Sequence, residues 1–302
     1  MARQPSHIFI VGLNRTGTNL LRTIINCSPD VAICDETHFL KHWVGYRGYQ
    51  REFANVGNIL TEDGTKLIVD YIYMIRDTAF RGMNFWKWIQ RNIPREKFLQ
   101  KLLNSNRNDH AILDVVMDLY ANGKAIRGDK TPAHIHSVPT LLKWYPDAKI
   151  IHMLRDPRAI FVSEKRRQKI EYTTLPYRVM GRSDFLLDLF LSSFISITWL
   201  RITKLHFKYQ QKYSHQYRLC KYEEMIGHSE IVIRDLCKWL EIDFNEKFLN
   251  QTFQNSSLVS RHKANGIDTE ANDRWKKYLD PWVNKLIIFL TKKKLLHFEY
   301  EI

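Results

Sequence analysis

The chain has 302 residues, of which 44% are hydrophobic and 26% charged, the balance of an ordinary globular protein and not of a disordered or low-complexity one. Its 46 Lys and Arg against 32 Asp and Glu leave a formal charge of +14, which suits anionic ligands but does not choose between nucleic acid and a highly charged nucleotide. Four cysteines (Cys27, Cys34, Cys220 and Cys237) form neither a C-x-x-C pair nor a disulfide-rich pattern, and the N-terminus lacks a signal-peptide pattern, so a reduced, cytoplasmic setting is expected.

His7 to Val11 is a short β-rich run ending at Gly12 and reads as a buried strand. Leu20, Leu21, Ile24 and Ile25 then recur at helical spacing, and Ser28-Pro29-Asp30 stops that helix. Val31–Cys34, Lys149–Leu154 and Tyr217–Tyr222 are further strand candidates, with helical periodicity at Leu141–Trp144 and Ile231–Leu240. Strands alternating with helices predict an α/β fold, a P-loop-type parallel sheet flanked by helices. Lys41 to Asn122 is aromatic-rich with few strand signals and is expected to be a mainly helical insertion within a single domain spanning 1–302. Leu189–Leu200 is apolar but interrupted by serines and threonine. It is expected to be a buried helix, too short to span a bilayer. Leu286–Leu296 reads as a packed helix carrying the Lys292-Lys293-Lys294 cluster.

Gly12-Leu13-Asn14-Arg15-Thr16-Gly17-Thr18-Asn19 follows a strand and opens a helix, the context in which backbone N–H groups and a helix N-terminus converge on an anion. A plain strand-to-helix turn would use the same glycines. The glycine spacing is that of a nucleotide-triphosphate P-loop, but Thr18 stands where its lysine should be and Asn19 where its magnesium-binding hydroxyl should be. That disfavours a P-loop kinase or NTPase, and the positive charge sits instead on Arg15, whose guanidinium can grip an anion through two hydrogen bonds. A basic nucleic-acid-binding protein is the alternative from another class, but no recognised binding signature is present.

Arg15-Thr16-Gly17-Thr18-Asn19-Leu20-Leu21 is similar to the loop of sulfotransferases dependent on 3′-phosphoadenosine 5′-phosphosulfate (PAPS) that binds the 5′-phosphosulfate. Met153 to Ala159, followed by Ser163, resembles their second signature, which binds the 3′-phosphate. Asp129-Lys130-Thr131-Pro132 and Lys221-Tyr222-Glu223-Glu224 occur in the family's usual order. Asp35-Glu36-Thr37 resembles the tyrosylprotein sulfotransferase-like and bacterial branch, from which Asn19 and His38 depart; His38 replaces an arginine near the acceptor and weakens the case for a tyrosine peptide.

The resemblance implies PAPS as donor, adenosine 3′,5′-bisphosphate (PAP) as product, no metal, and a hydroxyl-bearing acceptor that could be carbohydrate, lipid, small molecule or tyrosine. No nucleic-acid partner and no transmembrane segment are expected. Arg15, Thr16, Gly17, Thr18 and Asn19 would hold the phosphosulfate. Arg155, Ser163 and Arg167 would hold the 3′-phosphate, where two charged hydrogen bonds favour PAPS by roughly 10²–10⁴-fold over a nucleotide lacking it. Tyr222 would lie near the adenine, with Ser257 and Arg274 as further nucleotide contacts. Arg15 and Lys130 are expected to stabilise the transferring group, although an ion pair with Asp129 would be the bland role for Lys130. Glu36 is the expected general base, with His38, His134 and Asp35 behind it; Pro132 occupies the position of the histidine used in the cytosolic branch. Arg158, Lys165, Arg166 and Lys169 are read as a solvated basic face.

Overall fold

The computed structural model describes residues 5–40, 48–75, 84–171, 179–181, 183–250, 252–254, 263–265 and 272–302. Strand β1 (His7–Gly12) leads to helix α1 (Thr18–Ile25) and strand β2 (Val31–Cys34). Five helices follow: α2 (Gly48–Val56), α3 (Glu62–Met74), α4 (Asn84–Asn92), α5 (Arg95–Leu103) and α6 (Ala111–Ala121). The predicted helical insertion is therefore present among the described residues. Strand β3 (Ile126–Lys130), a 3₁₀ turn (Pro132–Ser137), α7 (Val138–Trp144), β4 (Lys149–Leu154) and α8 (Pro157–Glu171) come next. They are followed by α9 (Asp184–Lys212), β5 (Tyr217–Lys221), α10 (Tyr222–Gly227), α11 (Ser229–Leu240) and α12 (Pro281–His297).

Strands β1 to β5 form one sheet in the order β2-β3-β1-β4-β5, and both partners of β3 run parallel to it, while Thr252–Gln254 and Lys263–Asn265 form a separate antiparallel pair. This is the expected α/β architecture with one strand that its composition hides. Ile126-Arg127-Gly128-Asp129-Lys130 is poor in β-formers, yet it sits between β1 and β2, with Ile8 and Ile33 both opposite Gly128. A Cβ there would stand 1.9 Å from the Ile8 carbonyl oxygen, so close strand packing excludes any side chain.

The chain groups into two compact units. The first, Met1–Val11 with Ser28–Ile151, is built on Ile8, Phe9, Ile10 and Ile33, all fully buried, and on an aromatic cluster in which Trp86 meets Tyr49 and Phe53 edge-on. The second, Gly12–Cys27 with His152–Ile302, is organised around α9. That helix runs 29 residues, well beyond the apolar segment picked out by sequence, and by length and composition alone it is long enough to cross a membrane; half of its most apolar window is buried. Its polar interruptions do not break it because they bond inside the helix. Ser192 and Thr198 donate to the carbonyls of Asp188 and Phe194 at 2.6 and 2.7 Å.

Candidate active site

The loop after β1 is held open by contacts within the second unit. Gly12 adopts φ 151° and Gly17 φ 89°, conformations that suit glycine. A Cβ on Gly12 would meet the Met153 carbonyl oxygen at 2.5 Å, and one on Gly17 would meet the Tyr222 ring at 2.4 Å. Between them Arg15 is left-handed at φ 69°, a strained choice for a side chain with a Cβ. Its guanidinium Nε donates to Ser163 Oγ at 3.0 Å, and its carbonyl accepts from Arg155 Nη1 at 3.1 Å. Thr16 is fully buried and donates to the Leu13 carbonyl at 2.7 Å, so its hydroxyl serves the loop's own shape. Thr18 is buried at the first turn of α1, and Asn19 is exposed.

Arg15, Ser163 and Arg155 are thus assembled at one place, from the first loop, α8 and the end of β4. Arg155 also lies over the Tyr222 ring at 4.0 Å from its centroid, and its Nε is buried with no hydrogen-bond partner among the described residues. A buried, unsatisfied guanidinium N–H beside an anion-binding loop fits a phosphate-bearing ligand. The Tyr222 ring therefore supports Arg155 and Gly17. Arg167 shares a helix with Ser163, but Glu164 takes its guanidinium through two hydrogen bonds at 2.7 and 3.1 Å. Arg274 begins a 3₁₀ turn and its side chain lies outside the described residues, as does all of Ser257.

The solvated basic face read from Arg158, Lys165, Arg166 and Lys169 needs correcting at Arg158 and Lys165. Arg158 is buried and grips Asp156 at 2.7–3.1 Å, donates to the Glu301 carbonyl at 2.7 Å and lies over the Trp275 ring. Lys165 pairs with the buried Asp188 at 2.7 Å, and Arg166 lies over Tyr278. The Lys169 side chain is outside the described residues. Arg158 and Lys165 escape the sequence because their partners are remote along the chain or hidden by the turn. Helical spacing alone shows charge without showing its partner.

In the first unit, Lys130 is fully buried and its ammonium meets Asp35 at 2.6 Å and Glu36 at 2.7 Å. Its partners are these two, not the adjacent Asp129 that sequence suggested as the bland alternative. The second Glu36 oxygen lies 3.1 Å from His38 Nε2. Burial by itself would raise the Glu36 carboxyl, but the Lys130 charge and the His38 ring outweigh it and hold the group well below the usual carboxylate range. For Lys130, burial pushes downward and the two carboxylates reverse it, leaving the ammonium raised. At neutral pH Glu36 and Lys130 are therefore an ion pair.

Asp129 points the other way along β3. It accepts from the Thr37 N–H at 3.2 Å and the Thr131 hydroxyl at 3.0 Å, and His134 Nδ1 lies 2.9 Å from its second oxygen. His134 Nε2 accepts from the Leu40 N–H at 3.1 Å. His134 is fully buried with both ring nitrogens engaged, a structural position rather than one from which a histidine could deprotonate an acceptor. Sequence reasoning missed this anchoring of the Glu36–Leu40 segment, whose only local signal is the five-residue spacing from Asp129 to His134. Among the described residues no group of three or more His, Cys, Asp or Glu side chains could hold a metal ion.

Known proteins supply an independent comparison. A family model described as "Sulfotransferase family" matches residues 5–246. The sulfotransferase domain from the Synechococcus PCC 7002 olefin synthase superposes with a TM-score of 0.59 at 18% identity, covering 99% of this chain and 97% of its own. The sulfotransferase domain from the curacin biosynthetic pathway gives 0.56 at 17% identity, covering 99% of each chain. At those identities the likeness speaks to the fold. No curated protein matches the chain. The family match takes in the loop at Arg15, the Glu36–Lys130 cluster and the turn at Arg155 together, and with it the chain belongs to the sulfotransferase family, as an enzyme of PAPS-dependent sulfuryl transfer.

Proposed function

We propose that the protein transfers the sulfuryl group of PAPS to the hydroxyl of a small-molecule or carbohydrate acceptor, with Arg15, Arg155 and Ser163 holding the donor and Glu36 taking the acceptor's proton. The observation that carries the donor half is the Arg15–Ser163–Arg155 assembly with its unsatisfied Arg155 Nε. PAPS supplies an activated sulfuryl group on a phosphate leaving group. Arg15 would offer charge to the transferring group, and the N-terminus of α1 would add its dipole.

Glu36 and Lys130 suit the acceptor half. A carboxylate held far below its ordinary range is ionised at pH 7 but is a weak proton acceptor. Any draw of the Lys130 charge away from Glu36 during transfer would raise that carboxylate's proton affinity. Asp35-Glu36-Thr37 is the segment on which the resemblance to the tyrosylprotein-like and bacterial branch rests. His38, bonded to Glu36, argues for an acceptor other than a tyrosine peptide.

Calorimetric titration with PAP, AMP and ATP, with and without magnesium, tests the donor half. Tight, metal-independent binding of PAP alone supports it, and a preference for ATP with magnesium overturns it. For the acceptor half, Glu36→Gln is expected to keep PAP binding and lose turnover. An active Glu36→Gln enzyme would remove Glu36 from the role.

A further inference from the structure

Two helices of the second unit carry apolar side chains where solvent would be. On α9, Leu186, Leu189, Phe194 and Ile197 form one outward stripe and are 37–56% exposed. The stripe continues as Arg201, Lys204 and Lys208, all exposed. Along α12 the outward stripe is Trp282, Lys285, Phe289, Lys292, Lys293 and Leu296, with Phe289 80% exposed. Helical spacing of three and four places each set on one side of its helix, opposite the buried Leu191, Ile195 and Ile202 of α9 and the buried Val283, Ile287 and Leu295 of α12.

The two stripes share a face. Phe185 meets Trp282 at 5.2 Å near the start of both helices, and Phe207 meets His297 at 4.8 Å near their ends, so the helices run side by side in the same direction. With that alignment, burying one side of each leaves the two stripes turned the same way. The outward charges of the two stripes are all cations, Arg201, Lys204 and Lys208 on α9 and Lys285, Lys292 and Lys293 on α12; the two aspartates of α9 are Asp184, at its first residue, and the buried Asp188.

We infer that this face docks on an anionic lipid surface, its exposed Phe, Leu, Ile and Trp side chains entering the headgroup boundary while the lysines and arginine meet lipid phosphates. Large exposed apolar groups threaded with cations, and no carboxylate on the stripes, are what an interfacial helix needs. A second copy of the chain would instead oppose cations to cations, and nucleic acid, which could stack on Phe289, would leave the aliphatic Leu186, Leu189, Ile197 and Leu296 unburied. The inference is independent of the catalytic assignments.

The experiment is co-sedimentation of the full chain with phosphatidylcholine vesicles prepared with and without phosphatidylglycerol, alongside Ile197→Ser/Phe289→Ser and Lys292→Glu/Lys293→Glu variants. Binding is expected only to the phosphatidylglycerol vesicles. Neutralising two surface lysines should weaken it by roughly 30-fold, and reversing their charge by more. The serine variant should also lose binding while keeping wild-type thermal stability and PAP affinity, which separates loss of the face from loss of fold or of donor binding. No binding to anionic vesicles, or equal binding by the serine variant, overturns the proposal. So does concentration-dependent dimerisation or nucleic-acid binding that the serine variant abolishes in the absence of lipid.

Discussion

Asp129 and Lys130 are consecutive on β3 and serve opposite faces of it, the carboxylate anchoring Thr37, Thr131 and His134 while the ammonium meets Asp35 and Glu36. One strand end therefore fixes the same segment twice, through its backbone at Thr37 and through its side chains at Asp35 and Glu36. A one-residue slip of β3 would exchange the two roles and leave a buried charge unpaired on each face.

Removing Lys130 strands two carboxylates that share it. Breaking a buried pair from one side typically costs about 3–5 kcal/mol. Because Asp35 and Glu36 retain some water contact, Lys130→Met is expected near the lower end, read as a fall in urea midpoint at pH 7 with an unchanged denaturant slope.

The acid side of the stability profile follows from Glu36. Its carboxyl is depressed in the folded protein, so it contributes stability that is complete above its ordinary value of 4.5 and is lost as pH falls toward the depressed one. Asp129, likewise depressed against burial by His134, adds a loss in the same direction below 3.8. Urea midpoints measured from pH 7 downward should fall below about pH 4.5. In Glu36→Gln that fall should be shallower, leaving the part due to Asp129.

His134 contributes through position. Gln can place an acceptor near the site of the lost Nε2 and keep the Leu40 N–H satisfied, whereas Ala leaves that N–H unsatisfied and takes the ring nitrogen from the second Asp129 oxygen. His134→Ala should lose about 2–4 kcal/mol, from a buried N–H and a carboxylate oxygen that each lose a hydrogen-bond partner, and His134→Gln distinctly less, measured by chemical unfolding. Equal losses in the two variants would mean that the Leu40 bond contributes nothing.

The parts of this site that could be read from sequence are those whose signal is local. Gly12 and Gly17 mark the turn because backbone conformation demands them there, and the run from His7 to Val11 announces its strand through β-branched and aromatic side chains. β3 was hidden because its central positions are taken by Gly128, Asp129 and Lys130, residues chosen by packing and by charge partners 92 to 95 positions away. The same limit explains Lys165, whose carboxylate is Asp188, and the Trp275 and Glu301 contacts that bury Arg158; only its Asp156 partner is local. A motif shows which residues matter, but a charge is classed as solvated or structural only once its partner is known.

Gly17 offers a test of the loop. At φ 89° with Tyr222 occupying the space of a Cβ, Gly17→Ala must strain the backbone and displace the ring on which Arg155 rests. A left-handed alanine alone costs about 1–3 kcal/mol. PAP affinity is expected to fall roughly 10-fold or more, as about 1.4 kcal/mol is one decade. Calorimetry checks it, and an unchanged affinity would mean that the Tyr222–Arg155 contact does not set the donor site.

Arg158 and Arg166 lie eight residues apart on α8, and sequence treats them alike; the structure separates them. Arg158 is buried, doubly bonded to Asp156, covered by Trp275 and tied to the Glu301 carbonyl. Asp156 in turn offers its N–H to Glu223, whose other oxygen accepts from the Tyr300 hydroxyl at 3.0 Å. Burial pushes the Glu223 carboxyl up, so its bonds matter more than its charge. Arg158→Ala would leave Asp156 buried without its cation directly beside Arg155, and a loss of about 3–5 kcal/mol is expected. Arg166→Ala gives up one cation–ring contact worth about 0.5–1 kcal/mol. Unfolding of the two variants in parallel should therefore show losses differing by several-fold. PAP affinity should follow Arg158 and ignore Arg166, because Asp156 and Arg158 hold the turn that presents Arg155. Comparable losses in the two would return Arg158 to the solvated face that sequence gave it.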